Sequence, residues 1–316
     1  MAKKILFSLI LFVLVSFSFS GCLTNAVISA SKDSVEDRYY KNFDTEADSE
    51  KYYSVPGTYE VSAWSKQVSD SSIKKLEIWY PSDLEKSSKK YPMIISVNAS
   101  NTPASKYDAY LEKLASWGFI VVGNEDKQTG NGTTASKTLD LILSTSSDCP
   151  VYGKIDESNI GILGASQGGA GAICAATNFE NSRKYKTLVT ISAAYPLLAK
   201  NLGWEYDASK ISVPSFMMAG TGSSDDNGHY KDDEFAGVSP LFALIDNYNA
   251  ITAAVPKVRG RIIGAEHQDM LVESDPYVTA WFMYQLKNDS KAETVFFGDN
   301  AEILSNNRWK DVKCEK

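Results

Sequence analysis

Covalent chemistry in this chain would fall to one caged serine, one of two histidines and an acidic loop. Gly164-Ala165-Ser166-Gln167-Gly168 matches the pattern G-x-S-x-G. In that pattern a strained strand-to-helix turn lifts the serine hydroxyl off the sheet edge, and the helix N-terminus beyond it offers partial positive charge to a developing oxyanion. The turn is too tight for side chains at Gly164 and Gly168. A serine hydroxyl is a poor nucleophile until a base takes its proton, and histidine is the usual base at neutral pH. His229 lies in "DDNGHYKDDE", a polar, acidic stretch with the composition of an exposed loop. His267 follows "RIIGAE", where the chain leaves a buried strand at its carboxyl end, and active-site loops of α/β sheets gather there. His267 is therefore the expected base.

A carboxylate must fix the tautomer of that imidazole, and in this fold class it precedes the histidine in the chain. The apolar run "VPSFMMAG" ends in "TGSSDDNG", which offers Asp225 and Asp226. In an extended loop adjacent side chains point to opposite sides, so only one of the two can readily reach the ring. Asp225 is the first choice, which leaves Asp226 as a solvated charge. The backbone N–H of Gln167 is placed to hold an oxyanion. Tyr195 and Trp204, in the loop after "VTISAA", are candidates for an apolar wall of the substrate pocket, with core or lid packing as their other role.

The elements that must position these residues are legible as short runs. "TYEVSAW" and "KKLEIWY" have the aromatic and β-branched character of two antiparallel strands, and "YPMIISV" (Tyr91 to Val97) that of a buried one. "KYDAYLEKLASWGF" repeats apolar residues at helical spacing and stops at Gly118. Beyond it, "FIVVGNED", "NIGILGA", "KTLVTISAA", "SVPSFMMAG" and "KVRGRIIGA" are further strands, while "ASKTLDLILS", "GGAGAICAAT" and "PYVTAWFMYQL" are helices. Such alternation predicts an α/β fold, a mostly parallel twisted sheet with helices on both faces.

With these stretches in place, the chain resembles the cutinase and polyester-hydrolase branch of the α/β-hydrolase superfamily. It is also similar to the dienelactone-hydrolase group and the chlorophyllase-like esterases. The likeness is carried by "KLASWGFIVVGNED", "GKIDESNIGILGASQGGAG", "VPSFMMAGTGSSDD", "RIIGAEHQDM" and "TAWFMYQLKND", and it covers Val55 to Asp311. The resemblance implies a serine carboxylic-ester hydrolase working without a cofactor on a small-molecule or polymeric ester. It implies a second oxyanion donor in the loop after the third strand. Counting back from "LASWGF" puts that position, where the branch usually has an aromatic clamp, on Ser100. The backbone donor is retained there and the ring is missing. Aligning the strand ends puts the family's acid nearer Ser223, so this acid loop holds about two extra residues. The branch often staples its C-terminal lobe with a disulfide, yet Cys314 has no cysteine near it in sequence.

The beginning of the chain has a different composition. Lys3 and Lys4 precede an apolar, serine-containing run from Ile5 to Phe19, and no acidic residue occurs before Asp33. That is the pattern of an export signal. Ser20-Gly21-Cys22 resembles the lipobox of bacterial lipoproteins, which makes Cys22 the expected lipidation site and the cell envelope the expected location. The expected organisation is a signal over 1–21, an anchored tether and peripheral segment over 22–54, and a catalytic domain over 55–316. Removing two lysines with the signal takes the formal charge from −7 to −9. Nucleic acid is thus an unsuitable partner, because phosphate binding needs clustered cations.

Cys149, Cys174 and Cys314 permit one intramolecular disulfide at most, with the pairing open. Two distant histidines give little material for a metal site, and none is expected. A monomer is expected. A triad defines acyl transfer better than it defines the leaving group, so a peptidase or acyltransferase on the same scaffold is the nearer alternative, and a non-catalytic binding lipoprotein the farther one.

Overall fold

Runs of β-branched and aromatic residues form the strands their pattern predicts. The computed structural model describes residues 34–229 and 235–316. The expected export signal and Cys22 lie outside the described residues. Nine strands appear among the described residues: β1 (Val61–Gln67), β2 (Lys75–Pro81), β3 (Tyr91–Val97), β4 (Ile120–Asn124), β5 (Ile155–Ala165), β6 (Tyr185–Ile191), β7 (Ser215–Gly220), β8 (Lys257–Ile262) and β9 (Trp309–Glu315). They join into one sheet in the order β1-β2-β4-β3-β5-β6-β7-β8-β9. The central strands from β4 to β8 run parallel, whereas β1, β2 and β9 pair antiparallel at the two ends.

Every residue of β3, β4 and β7 is buried, as a sheet covered on both faces requires. Ile94, Leu163, Val189, Phe216 and Val258 share one core with the helices Asp108–Ser116 and Asp275–Lys287. The helix Gln167–Thr177 packs on β5 and β6 and meets the helix Thr133–Leu143. Trp281, Phe216 and Phe296 meet edge-on or tilted, with ring centroids 5.1–5.6 Å apart, within the core that includes Asp275–Lys287. The indole N–H of Trp281 donates to Thr187 Oγ1 at 2.8 Å, so its burial leaves no donor unpaired.

The folded unit begins at Val35, earlier than the expected boundary at Val55. Val35, Tyr39 and Tyr53 are core residues, and the helix Asp48–Ser54 packs on Asp275–Lys287. Tyr39 donates its hydroxyl to Asp275 Oδ2 at 2.9 Å, and Lys113 donates to the Tyr53 carbonyl at 2.6 Å. Lys113 and Asp275 pair at 2.7 Å, both fully buried. Burial pushes the Asp275 carboxyl up and the Lys113 ammonium down. That desolvation is offset only while every polar group of the cluster keeps its partner.

β9 has no counterpart in the sequence pattern. Trp309, Val312 and Cys314 turn toward the core at a spacing that no strict alternation gives, because Asp311 takes φ 54° where the β8–β9 register shifts. Cys149, Cys174 and Cys314 are free thiols. No helix among the described residues is long and apolar enough to cross a membrane.

Candidate active site

The turn at the end of β5 is built around two close backbone approaches. A Cβ on Gly164 would lie 2.0 Å from the Gly168 carbonyl oxygen, and one on Gly168 would lie 2.1 Å from that of Val97. Only glycine fits at either position. Ser166 between them takes φ 56° and ψ −123°, a conformation that L-residues rarely adopt, and the helix Gln167–Thr177 starts directly after it. The first N–H groups of that helix, Gln167 among them, have no intrahelical acceptor and point from the positive end of the dipole.

Ser166 Oγ stands 2.9 Å from His267 Nε2, and His267 Nδ1 stands 2.6 Å from Asp225 Oδ1. An ionised carboxylate only accepts, so Nδ1 carries the hydrogen and Nε2 is left to accept the serine proton. Asp225 is fully buried. Its other oxygen accepts the Gly220 N–H at 2.7 Å and the Ser192 hydroxyl at 2.5 Å. Four strand ends converge here: β5 carries the serine, β6 leads to Ser192, β7 to Asp225 and β8 to His267.

The acid and base loops are fastened to each other. Glu266 accepts the N–H groups of Ser223 at 3.2 Å and Ser224 at 2.9 Å, together with the Ser224 hydroxyl. Ser224 Oγ in turn accepts the His267 N–H at 2.8 Å. The Ser224 hydroxyl and then its N–H hold the Glu266 carboxyl below the usual range. Between Gly222 and Ala265 a further backbone bond of 2.8 Å closes the clamp. This arrangement can take a proton from a serine, hold the resulting imidazolium and return the proton to a leaving group.

A family model described as PET hydrolase-like matches residues 46–242. The chain belongs to this family. It is accordingly an ester hydrolase on an α/β-hydrolase scaffold. The matched span holds Ser166 and Asp225 and ends before His267, whose place rests on the geometry above. No curated protein matches the chain.

In this family member the remaining expected residues are distributed unevenly. Ser100 is exposed on the loop after β3, whose last residue packs on Gly168 of the elbow. The loop is held by Asn98, which donates to the Asn124 and Asp126 carbonyls at 2.8 and 2.7 Å, and by the Thr129 hydroxyl on the Asn98 carbonyl at 2.5 Å. The Gln167 side chain is fully buried. It accepts the Thr129 N–H at 3.2 Å and donates to Gln128 at 3.2 Å, so it binds the elbow to the loop after β4.

Tyr195 does not form a pocket wall. It is 2% exposed and meets Phe242 edge-on at 6.0 Å, so it is a packing residue. Trp204 is half-buried and lies on Gly130, where any Cβ would come within 2.2 Å of the indole. His229 is exposed, as its composition predicts. Asp226 is not the solvated charge expected of it: it pairs with Arg261 at 2.6 Å and accepts the Leu241 N–H at 3.3 Å. Ser192, Ser224, Glu266 and Arg261 also hold the site together, and no motif in the sequence marks them. For Ser192 the available signal was a small polar residue at the carboxyl end of the strand beside the elbow strand.

Proposed function

We propose that this protein is an exported, membrane-anchored serine esterase that cleaves carboxylic esters of short to medium acyl chain through an acyl-enzyme. The observation that carries this reading is the unbroken hydrogen-bond chain from Ser166 through His267 to Asp225 at the carboxyl ends of β5, β7 and β8. Ser166 Oγ attacks the ester carbonyl carbon while His267 Nε2 takes its proton, and Asp225 stabilises the imidazolium. The N–H groups of Gln167 and Ser100 hold the oxyanion, a donation worth about two to three orders of magnitude in kcat per donor. Collapse of the intermediate expels the alcohol, which leaves with the proton from His267. Water then repeats the sequence on the acyl-enzyme, releasing the acid and restoring the serine.

Export and anchoring rest on the sequence alone: the cationic start at Lys3 and Lys4, the apolar run Ile5–Phe19 and the Ser20-Gly21-Cys22 site. Cys22→Ala should release the protein from detergent-extractable membrane or leave it unprocessed. Fully soluble, lipid-free wild-type protein would reduce the signal to an ordinary cleaved one.

The catalytic reading is tested by a fluorophosphonate probe together with p-nitrophenyl esters. Wild type should label at Ser166 and hydrolyse the esters, and Ser166→Ala should do neither. A folded wild type that neither labels nor turns over would make the protein a binding module.

A further inference from the structure

The loop after β4 touches both loops that carry the expected oxyanion donors. On one side it meets the elbow, where the Gln167 side chain accepts the Thr129 N–H and donates to Gln128 Oε1, each at 3.2 Å. On the other side it meets the loop after β3. The Asn101 N–H donates to the Lys127 carbonyl at 3.1 Å, the Thr129 hydroxyl to the Asn98 carbonyl at 2.5 Å, and the Asn98 amide to the Asp126 carbonyl at 2.7 Å. Gln128 Nε2 itself faces Asn101 Oδ1 at 3.5 Å. Asn101 directly follows Ser100 and takes φ 60°, a bend that asparagine tolerates better than most residues. Among the described residues the Ser100 N–H has no acceptor. One backbone group orients the amides. An N–H can only donate, so the Gln167 oxygen faces Thr129 and its NH2 faces Gln128, which presents its own oxygen inward and its NH2 toward Asn101. Gln167 and Thr129 are buried, whereas Gln128 is exposed.

We infer that Gln128, acting through the Gln167 side chain and Asn101, is a positioning residue that sets the separation of the two oxyanion donors. The inference rests on Ser166 as the nucleophile and on the N–H groups of Gln167 and Ser100 as the donors. Those donors belong to different loops, and each stabilises a tetrahedral intermediate only when it lies about 2.7–3.1 Å from the place the oxyanion will take. Where the loops leave the sheet they are already joined, because Gly168 packs on the Val97 carbonyl. Farther out the amide chain joins them. Ser100 has no large side chain to pin its own loop, so the pinning falls to Asn101 and its contacts with Lys127 and Gln128. Gln128 touches no reacting atom. It acts on the intermediate, where charge collects on the carbonyl oxygen, and leaves the bound ester alone.

Gln128→Met keeps the length of the side chain and removes its amide at an exposed position. With p-nitrophenyl butyrate it should lower kcat about tenfold at nearly unchanged KM, part of the roughly hundredfold loss that a misplacement of about 1 Å brings. Binding of phenylboronic acid, whose tetrahedral adduct on Ser166 puts an oxygen in the same hole, should weaken by the same factor. The acid limb of the kcat/KM profile should stay in place, because the His267–Asp225 pair is untouched. Gln167→Met retains the backbone donor, and the double variant should lose no more kcat than Gln167→Met alone, since the two side chains share one hydrogen bond. Wild-type kcat and boronate affinity in Gln128→Met, a loss carried by KM, a shifted acid limb, or losses that multiply in the double variant would each overturn the positioning role while Ser166 chemistry stands. Folded wild type that neither hydrolyses the ester nor binds the boronate would instead overturn the reading beneath it.

Discussion

Ser192 donates its hydroxyl to Asp225 Oδ2 at 2.5 Å, while Oδ1 of the same carboxylate faces His267 Nδ1 at 2.6 Å. Both residues are buried, and Ser192 takes φ 46° at the end of β6. The carboxylate is thus held from three sides and cannot rotate away from the imidazole. Ser192→Ala should lower kcat about tenfold with KM nearly unchanged, since a hydrogen bond to a charged group contributes about 1.5–3 kcal/mol. Ser192→Gly separates hydroxyl from strain. It should lose as much kcat and yet unfold at a higher temperature than the alanine variant, because glycine tolerates positive φ. Wild-type kcat in both variants would make Ser192 a structural residue only.

The adjacent aspartates should fail in different ways. Asp225→Asn should cut turnover by about four orders of magnitude with the fold intact, the usual consequence of losing the orienting carboxylate. Asp226→Asn should keep kcat within a few fold and lower stability. Asp226 and Asp311 both pair with Arg261, at 2.6 and 2.7 Å, so this arginine joins the acid loop to β8 and β9. Removing one charged partner of that largely buried arginine should cost about 1–3 kcal/mol in chemical denaturation. A dead Asp226→Asn with an active Asp225→Asn would reassign the acid.

The parts of this arrangement that sequence reveals are those set by local pattern. β3 was legible from Tyr91 to Val97 because every residue in it suits a doubly covered strand, and the elbow because its five-residue pattern stands between an apolar run and an alanine-rich one, although only Gly164 answers to a contact within a few residues while Gly168 answers to Val97 on β3. His267 was legible because it ends an apolar run. What stayed hidden depends on contacts distant in sequence. Ser192 acquires its role only when β6 lies beside β7, and Glu266 only when its loop meets Ser223 and Ser224. Asp226 looked solvated because Arg261 stands 35 residues away. Tyr39 and Tyr53 sit in a polar, acidic segment whose composition hides their burial.

Glu266 should make the clamp between the acid and base loops sensitive to acid. Its carboxyl is held below the usual range by the Ser224 hydroxyl and N–H, so folding favours the ionised form. The resulting stabilisation is present above the ordinary glutamate pKa and is lost as the pH falls through the lower folded value. Glu266→Gln should remove that acid-side dependence. It should also lower kcat by weakening the Ser224 contact that seats the His267 backbone. Unfolding midpoints of wild type and variant that stay parallel from pH 7 to pH 3 would show that Glu266 carries no such linkage.

The segment before Val55 should be indispensable to the fold from Val35 onward. Besides Tyr39 and Tyr53 at the Lys113–Asp275 pair, it supplies Glu50, which binds Arg308 and accepts the Asn306 side-chain amide at 2.7 Å. Arg308 also binds Glu273, in the short helix Met270–Glu273 that follows the base loop. The N–H groups of Ser49 and Glu50 donate to Glu302 at 2.7 and 3.0 Å. A chain starting at Val35 should therefore match the longer protein in kcat and unfolding midpoint. One starting at Val55 removes the Tyr39 and Tyr53 partners and strands the Lys113–Asp275 pair and Arg308. Breaking a buried ionic cluster costs about 3–5 kcal/mol, a large share of the roughly 5–15 kcal/mol by which a domain is stable. Urea unfolding of the two truncations decides the matter: equal midpoints would mean that residues 35–54 decorate the domain, and a lost or sharply lowered midpoint for the shorter chain would make them part of its core.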